Sequence, residues 1–206
     1  MPRPPAETRD EIRLNTREKL LAAAAEEFAQ KGYVGANINE ISTAAGFAKG
    51  TIYNYFPSKH DLMLALIGEI GAQHSNYIIR QVKREETAAQ RLKRFFSAGY
   101  EFVEKFPHQA HVAINVIYGY DMEFKDCFFQ AYTALIDLIH KDIVSLGIAK
   151  GEFRSSDDNM ITALLMSLYL GSISLNDYDG NVWFDADSVM DFAMGGLKNT
   201  QTQEMD

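Results

Sequence analysis

Lys49, Thr51, Tyr53, Asn54, Tyr55 and Lys59 follow one another within AGFAKGTIYNYFPSKHDL, residues 45–62. All six side chains donate hydrogen bonds, and two are cationic. Donors of these types pair with phosphate oxygens and with base edges. Gly50 adds no side chain, so its backbone can be approached closely. Very little of this stretch could be catalytic. Elsewhere Ser, His and Asp occur without a nucleophile elbow or a phosphate loop. His108 and His111, in PHQAH, stand three residues apart, a spacing that can hold a metal. No cysteine lies close to them in sequence, and they read as a solvated helix start. Cys127, the single cysteine, stands beside Phe128 and Phe129 and reads as a small apolar group. No catalytic residue, metal or cofactor is expected. A metal-binding helical enzyme built on His108 and His111 is the rival reading.

The donors need elements to hold them. In NTREKLLAAAAEEFAQKGY, Asn15 and Glu18 have capping-box spacing. Leu21, Ala24, Ala25 and Phe28 make one apolar stripe, and Gly32 stands where a helix ends. This predicts a first helix over about 15–31. Asn37 and Glu40 repeat the capping spacing, Ile38, Ile41 and Ala45 make a stripe, and Gly46 ends a second, short helix. A third short helix is expected near 49–55, before Pro57. Two short helices joined by a glycine turn form a helix-turn-helix, whose second helix lies in the DNA major groove. Phe47 and Ile52 would anchor that helix, with Lys49, Gly50, Thr51, Tyr53, Asn54 and Tyr55 outward. Tyr53 and Tyr55 are also what core aromatics would look like.

Ser58 and Asp61 start a long fourth helix running from about 59 into the 80s. Further helices are expected over 87–105, 108–118, 122–147, 157–176 and 185–198, with breaks near Pro107, Gly119, Gly147/Gly151 and NDYDGN. The fold class is therefore all-α, with about nine helices and no strand. An N-terminal three-helix domain over 1–60, with a disordered polar start of about ten residues, precedes a helical bundle over 61–206.

GYVGANINEISTAAGFAKGTIYNYFPSKHDL resembles the DNA-binding signature of the tetracycline-repressor (TetR) family. The matching residues are Gly32-Tyr33, Ala45-Gly46, Gly50-Thr51-Ile52-Tyr53, Tyr55-Phe56 and Ser58-Lys59 with Leu62. The resemblance implies that Lys49 and Gly50 read bases and that Tyr53 meets base or backbone. It also implies that Thr51, Asn54, Tyr55 and Lys59 hold phosphates. Asn37 stands where a threonine often touches phosphate, and Asn39 could reach a base edge. Ala48 departs from the usual serine or threonine cap, and alanine is a poor cap.

The bulk properties agree. With 206 residues and 47% apolar content the chain can bury a core. Residues 1–63 balance eight Lys/Arg against eight Asp/Glu, whereas 64–206 carry twelve against twenty. That excludes a general polyanion binder and leaves room for a local contact patch. No apolar signal core opens the chain, and apolar runs such as LLAAAA are too short to span a bilayer. A soluble, cytoplasmic protein without membrane contact is expected.

The larger part would pair and sense. The stripe of Ile161, Leu164, Leu165, Leu168 and Leu175, bordered by Gly171, would join the last helix, with Val189 and Phe192, in a homodimer interface. Such a dimer would read a palindromic double-stranded operator. Phe96, Tyr100, Tyr118, Phe124, Phe128, Tyr132, Met166 and Tyr169 would line a site for an apolar or aromatic effector. The same aromatics would also fill any helix bundle. The expected function is a ligand-responsive transcriptional regulator, a repressor that releases its operator when the effector binds. Control by a partner protein is the alternative.

Overall fold

The computed structural model describes residues 8–175 and 184–198. Among these, every regular element is helical, apart from an isolated antiparallel bridge between Phe153 and Lys198. The α-helices are α1 (Arg9–Gly35), α2 (Ile38–Ala44), α3 (Lys59–Val82), α4 (Ala88–Lys105), α5 (Pro107–Tyr118) and α6 (Met122–Ala131). α7 (Thr133–Asp137), α8 (Leu146–Ala149), α9 (Asp158–Leu175) and α10 (Ala186–Leu197) complete them. A single 3-10 turn covers Thr51–Asn54, and a π-helical stretch, Leu138–Ser145, joins α7 to α8. The helix expected over 122–147 is thus α6 to α8, bent at Tyr132 (φ −97°, ψ 0°). The break expected at NDYDGN lies outside the described residues.

α1 begins earlier than its sequence signal suggested. The Thr8 hydroxyl accepts the Glu11 N–H at 3.3 Å, and the Glu11 carboxylate accepts the Thr8 N–H at 2.7 Å. This capping box satisfies both orphan donors, so Asn15 lies inside the helix. The start expected to be disordered is helical from Arg9. Residues 1–7 lie outside the described residues.

The chain divides into two compact units. The first runs to Ile70 and takes back His108–Phe128; the second is Gly71–Pro107 with Phe129 onward. A domain edge at 60/61 would cut the first turn of α3. The reason lies in the apolar stripe: Leu62, Met63, Leu66, Ile67 and Ile70 are all buried in the first unit, with Leu20, Ala24, Phe28, Ile41, Ile52 and Phe56. Val112, Val116 and Phe124 complete that core.

In the second unit α4 carries the most one-sided face. Leu92, Phe95, Phe96 and Phe102 are buried with Ile139, Ile143, Ile161, Leu165 and Leu197. Inside sits a polar chain: His74 is buried, with Nδ1 at 2.9 Å from the Tyr132 hydroxyl and Nε2 at 2.9 Å from the Tyr169 hydroxyl. Burial pushes the imidazole down to about 3, so it is neutral, with one nitrogen donating and the other accepting. The Tyr169 ring fits because Gly99 faces it; a Cβ there would stand 2.3 Å from the ring. α9 is long and apolar enough to cross a membrane by length and composition, although Thr162 and Ser172 are among its buried residues.

Candidate nucleic-acid interface

The donor-rich segment is held by a chain of short-range bonds. α2 closes with the Gly46 N–H on the Thr43 carbonyl at 3.0 Å and the Phe47 N–H on the Ser42 carbonyl at 2.9 Å. This pairing is a Schellman motif, and it needs a left-handed residue, which Gly46 supplies at φ +85°. The buried Ser42 hydroxyl then donates to the Ala48 carbonyl at 2.7 Å. That bond offsets the poor capping residue at 48 by fixing the turn from the α2 side.

Gly50, at φ +89°, starts the 3-10 turn, and the Phe56 N–H reaches the Ile52 carbonyl at 2.9 Å. The third helix expected near 49–55 is therefore one short turn, because a left-handed Gly50 cannot continue a right-handed helix backward. Ile52 and Phe56 are buried and anchor the turn, while Phe47 is only half-buried. Tyr53, 51% exposed, and Asn54 face outward; Thr51 and Tyr55 are half-buried.

Asn37, Asn39 and Lys49 line one solvent-open groove with Glu40, Thr43 and Ala44. Asn37 caps α2, its Oδ1 accepting the Asn39 N–H at 2.9 Å. Its amide NH2, with two donors, stays available to an acceptor in the groove. Lys49 is exposed and makes no ion pair among the described residues. Glu40 would repel an anion here, but Lys31 stands 2.6 Å from it and 3.0 Å from Glu27. Glu40 first and Glu27 second push the Lys31 ammonium above its ordinary value. Burial acts to raise the Glu27 carboxyl, yet Lys31 and the Asn37 N–H outweigh it and hold Glu27 below its usual range.

Lys59, expected to hold a phosphate, also ties down the chain leaving α1. Its Nζ donates to the Val34 carbonyl at 3.0 Å and the Ala36 carbonyl at 2.9 Å, and lies 5.1 Å from the Tyr33 ring centroid. Two of its three N–H groups close the end of α1, leaving one for any outside acceptor. Arg17 is likewise engaged, 3.6 Å from Glu69 and 5.6 Å from the Phe56 ring.

The residues expected to line an effector site fall in both units. Phe96, Tyr132 and Tyr169 are buried in the second unit, the two tyrosines against His74, and Tyr100 and Met166 are half-buried there. Tyr118, Phe124 and Phe128 belong to the first unit, where Tyr118 is exposed and Phe124 lines a cavity of about 350 Å³. Of the expected dimer residues, Leu164 (61%), Leu175 (60%) and Phe192 (75%) are exposed, Leu168 and Gly171 are half-buried, and Val189 is buried within its own chain. Val189 is therefore a core residue of α10, packed inward beside Met190 and Ala193. Among the described residues no group of three or more His, Cys, Asp or Glu side chains could hold a metal.

Ser42 and Lys31 were missed from sequence. Both had a signal: Ser42 is a hydroxyl on the apolar stripe of α2, and Glu27 and Lys31 have i, i+4 spacing.

Residues 20–66 match the sequence profile of bacterial regulatory proteins of the tetR family. The fatty acid metabolism regulator protein of Bacillus subtilis is 23% identical over 188 residues, 88% of this chain and 95% of that protein. The transcriptional activator FasR of Mycolicibacterium smegmatis is 36% identical over 92 residues, 43% of this chain and 40% of that protein. Among solved structures, FadR from Bacillus subtilis in complex with stearoyl-CoA superposes with a TM-score of 0.78 at 21% identity, covering 87% of this chain and 98% of FadR. FadR from Bacillus halodurans gives a TM-score of 0.72 at 23% identity, covering 88% and 99%.

Proposed function

We propose that the chain works as a transcriptional regulator of the tetR family, whose profile its residues 20–66 match. It is a homodimeric, cytoplasmic repressor that binds a palindromic operator and releases it when a small apolar effector binds. The observation that carries this is the groove of Asn37, Asn39 and Lys49 beside the outward Tyr53 and Asn54. Gly46, Ser42 and Gly50 hold the turn that carries Lys49, Thr51, Tyr53, Asn54 and Tyr55. Lys49, Asn39 and Tyr53 read base edges; Asn37, Thr51, Asn54 and Tyr55 position the head on phosphates.

One such turn reads few base pairs, and a two-fold dimer doubles the readout, with half-sites about 34–36 Å apart. The exposed apolar face of Leu164, Leu175 and Phe192 supports the second copy. The complex of FadR with stearoyl-CoA supports a ligand-responsive reading and makes a fatty acyl thioester the first effector to try. Coupling would run through α3, whose residues 59–70 belong to the first unit and 71–82 to the second. A ligand shifts the DNA-competent population only by its differential affinity for the two conformers.

Selection of bound duplexes from random DNA tests the reader, and a palindromic consensus is expected. Titrating stearoyl-CoA against that duplex tests the sensor. Recovery of no consensus at modest ionic strength sinks the reading.

A further inference from the structure

The cavity of about 350 Å³ in the first unit has the build of a ligand site. Its floor is apolar, from Phe28 of α1, Met63 of α3, Val116 of α5 and Phe124 of α6, all buried. Its rim carries the fully exposed Tyr120 and the carboxylate of Asp121, and among the described residues no lysine or arginine lines it. Asp121 is not adrift: one of its oxygens accepts the Phe124 N–H at 3.0 Å and fixes the carboxylate at the start of α6. A fixed anion at the mouth of an apolar chamber attracts a cation and repels carboxylates and phosphates, and an aromatic ring beside it adds cation–π attraction.

We propose that this cavity binds a compact hydrophobic cation, its apolar body against Val116 and Phe124 and its ammonium or amidinium group between Asp121 and Tyr120. Such a ligand is opposite in charge to the anionic acyl thioester named above as the first effector to try.

Occupancy also reaches the reading surface, within one unit. Tyr33 lines the same cavity, with its ring edge-on to Phe124 at 5.1 Å between centroids. Burial, then Asp121, pushes the Tyr33 hydroxyl up, so it stays a neutral donor. Lys59 sits over that ring and holds the Val34 and Ala36 carbonyls, immediately before the Asn37 cap of α2. A ligand that moves Tyr33 moves the corner that aims α2. This coupling, unlike the site itself, rests on the DNA-binding reading.

Calorimetry on the full chain with 4-phenylbutylamine and 4-phenylbutyrate, one apolar body with opposite charges, tests the site. One amine per chain is expected, bound at least about tenfold tighter than the acid. Asp121→Asn keeps an acceptor for the Phe124 N–H and should bring the two ligands within about threefold. Val116→Trp should abolish binding by filling the chamber. Absence of saturable amine binding, or an amine preference unchanged in Asp121→Asn, overturns the site. Anisotropy with a selected duplex then tests the route: the amine should change duplex affinity at least about threefold. Amine binding with unchanged duplex affinity overturns the route through Tyr33 and Lys59. Failure to select any duplex sinks the DNA reading alone, because the calorimetry still judges the site.

Discussion

Lys49 and Lys59 stand in one motif and play different parts. Lys49 is exposed in the groove, so Lys49→Ala should leave unfolding free energy within about 0.5 kcal/mol. It should remove about 1–3 kcal/mol of discrimination between the selected duplex and single-base variants. Lys59 ties down the end of α1, so Lys59→Ala should lower stability by about 1–2 kcal/mol and weaken binding to all sequences alike. Paired melting and anisotropy measurements separate the two; a Lys59→Ala protein as stable as wild type refutes the assignment. His74 gives a third residue-level expectation. Its unfolded-state pKa is about 6.5, and in the folded chain burial holds it down at about 3. Above pH 6.5 it adds no pH dependence. Below that, the unfolded chain takes up a proton that the folded one refuses, so stability falls as pH drops toward 3, by at most about 1.4 kcal/mol per pH unit. His74→Gln should be less stable at neutral pH but show a shallower acid slope in urea titrations. An identical slope would mean the imidazole is charged in the fold.

The turn between α2 and the 3-10 segment is shaped by backbone as much as by side chains. Gly50→Ala forces an alanine to φ +89°, at a cost of about 1–2 kcal/mol, although a Cβ there meets open space. The expected result is a folded protein with strongly reduced duplex affinity; wild-type affinity would show that the turn does not aim Lys49 and Tyr53. Ser42→Ala should destabilise by about 0.5–1.5 kcal/mol, because the Ala48 carbonyl then keeps only the Thr51 N–H. Much at this scale was legible in the sequence. The stripes of Leu21–Phe28 and Ile38–Ala45, the glycines at 46 and 50 and the cap at Ser58 announced the order of elements. Thr8 and Glu11 carry the same capping-box spacing as Asn15 and Glu18, and that earlier pair outcompeted the later one. Two things were not legible. The reading element shrank to one turn, since positive φ is visible only as a glycine with several possible meanings. The aromatics of 95–132 were sorted into two units by long-range packing, which periodicity does not record.

The whole molecule depends on a second copy in the proposed mechanism. Leu164→Glu with Phe192→Glu places charge on an exposed apolar face and should leave the fold intact. Sedimentation should then show a monomer, with affinity for the palindrome falling to that of a half-site. A dimer surviving both changes would place the interface elsewhere. Charge sets the other global property. Arg17, Lys31 and Lys59 are each committed to partners inside the first unit, and beyond residue 63 the chain is acidic. A duplex meeting this head would therefore shed few condensed counterions, and log K should decline with log salt by only about 0.9 per phosphate neutralised. Such a reader would make brief stops on random DNA, search by separate encounters more than by sliding, and keep its grip at ionic strengths that strip lysine-rich binders away.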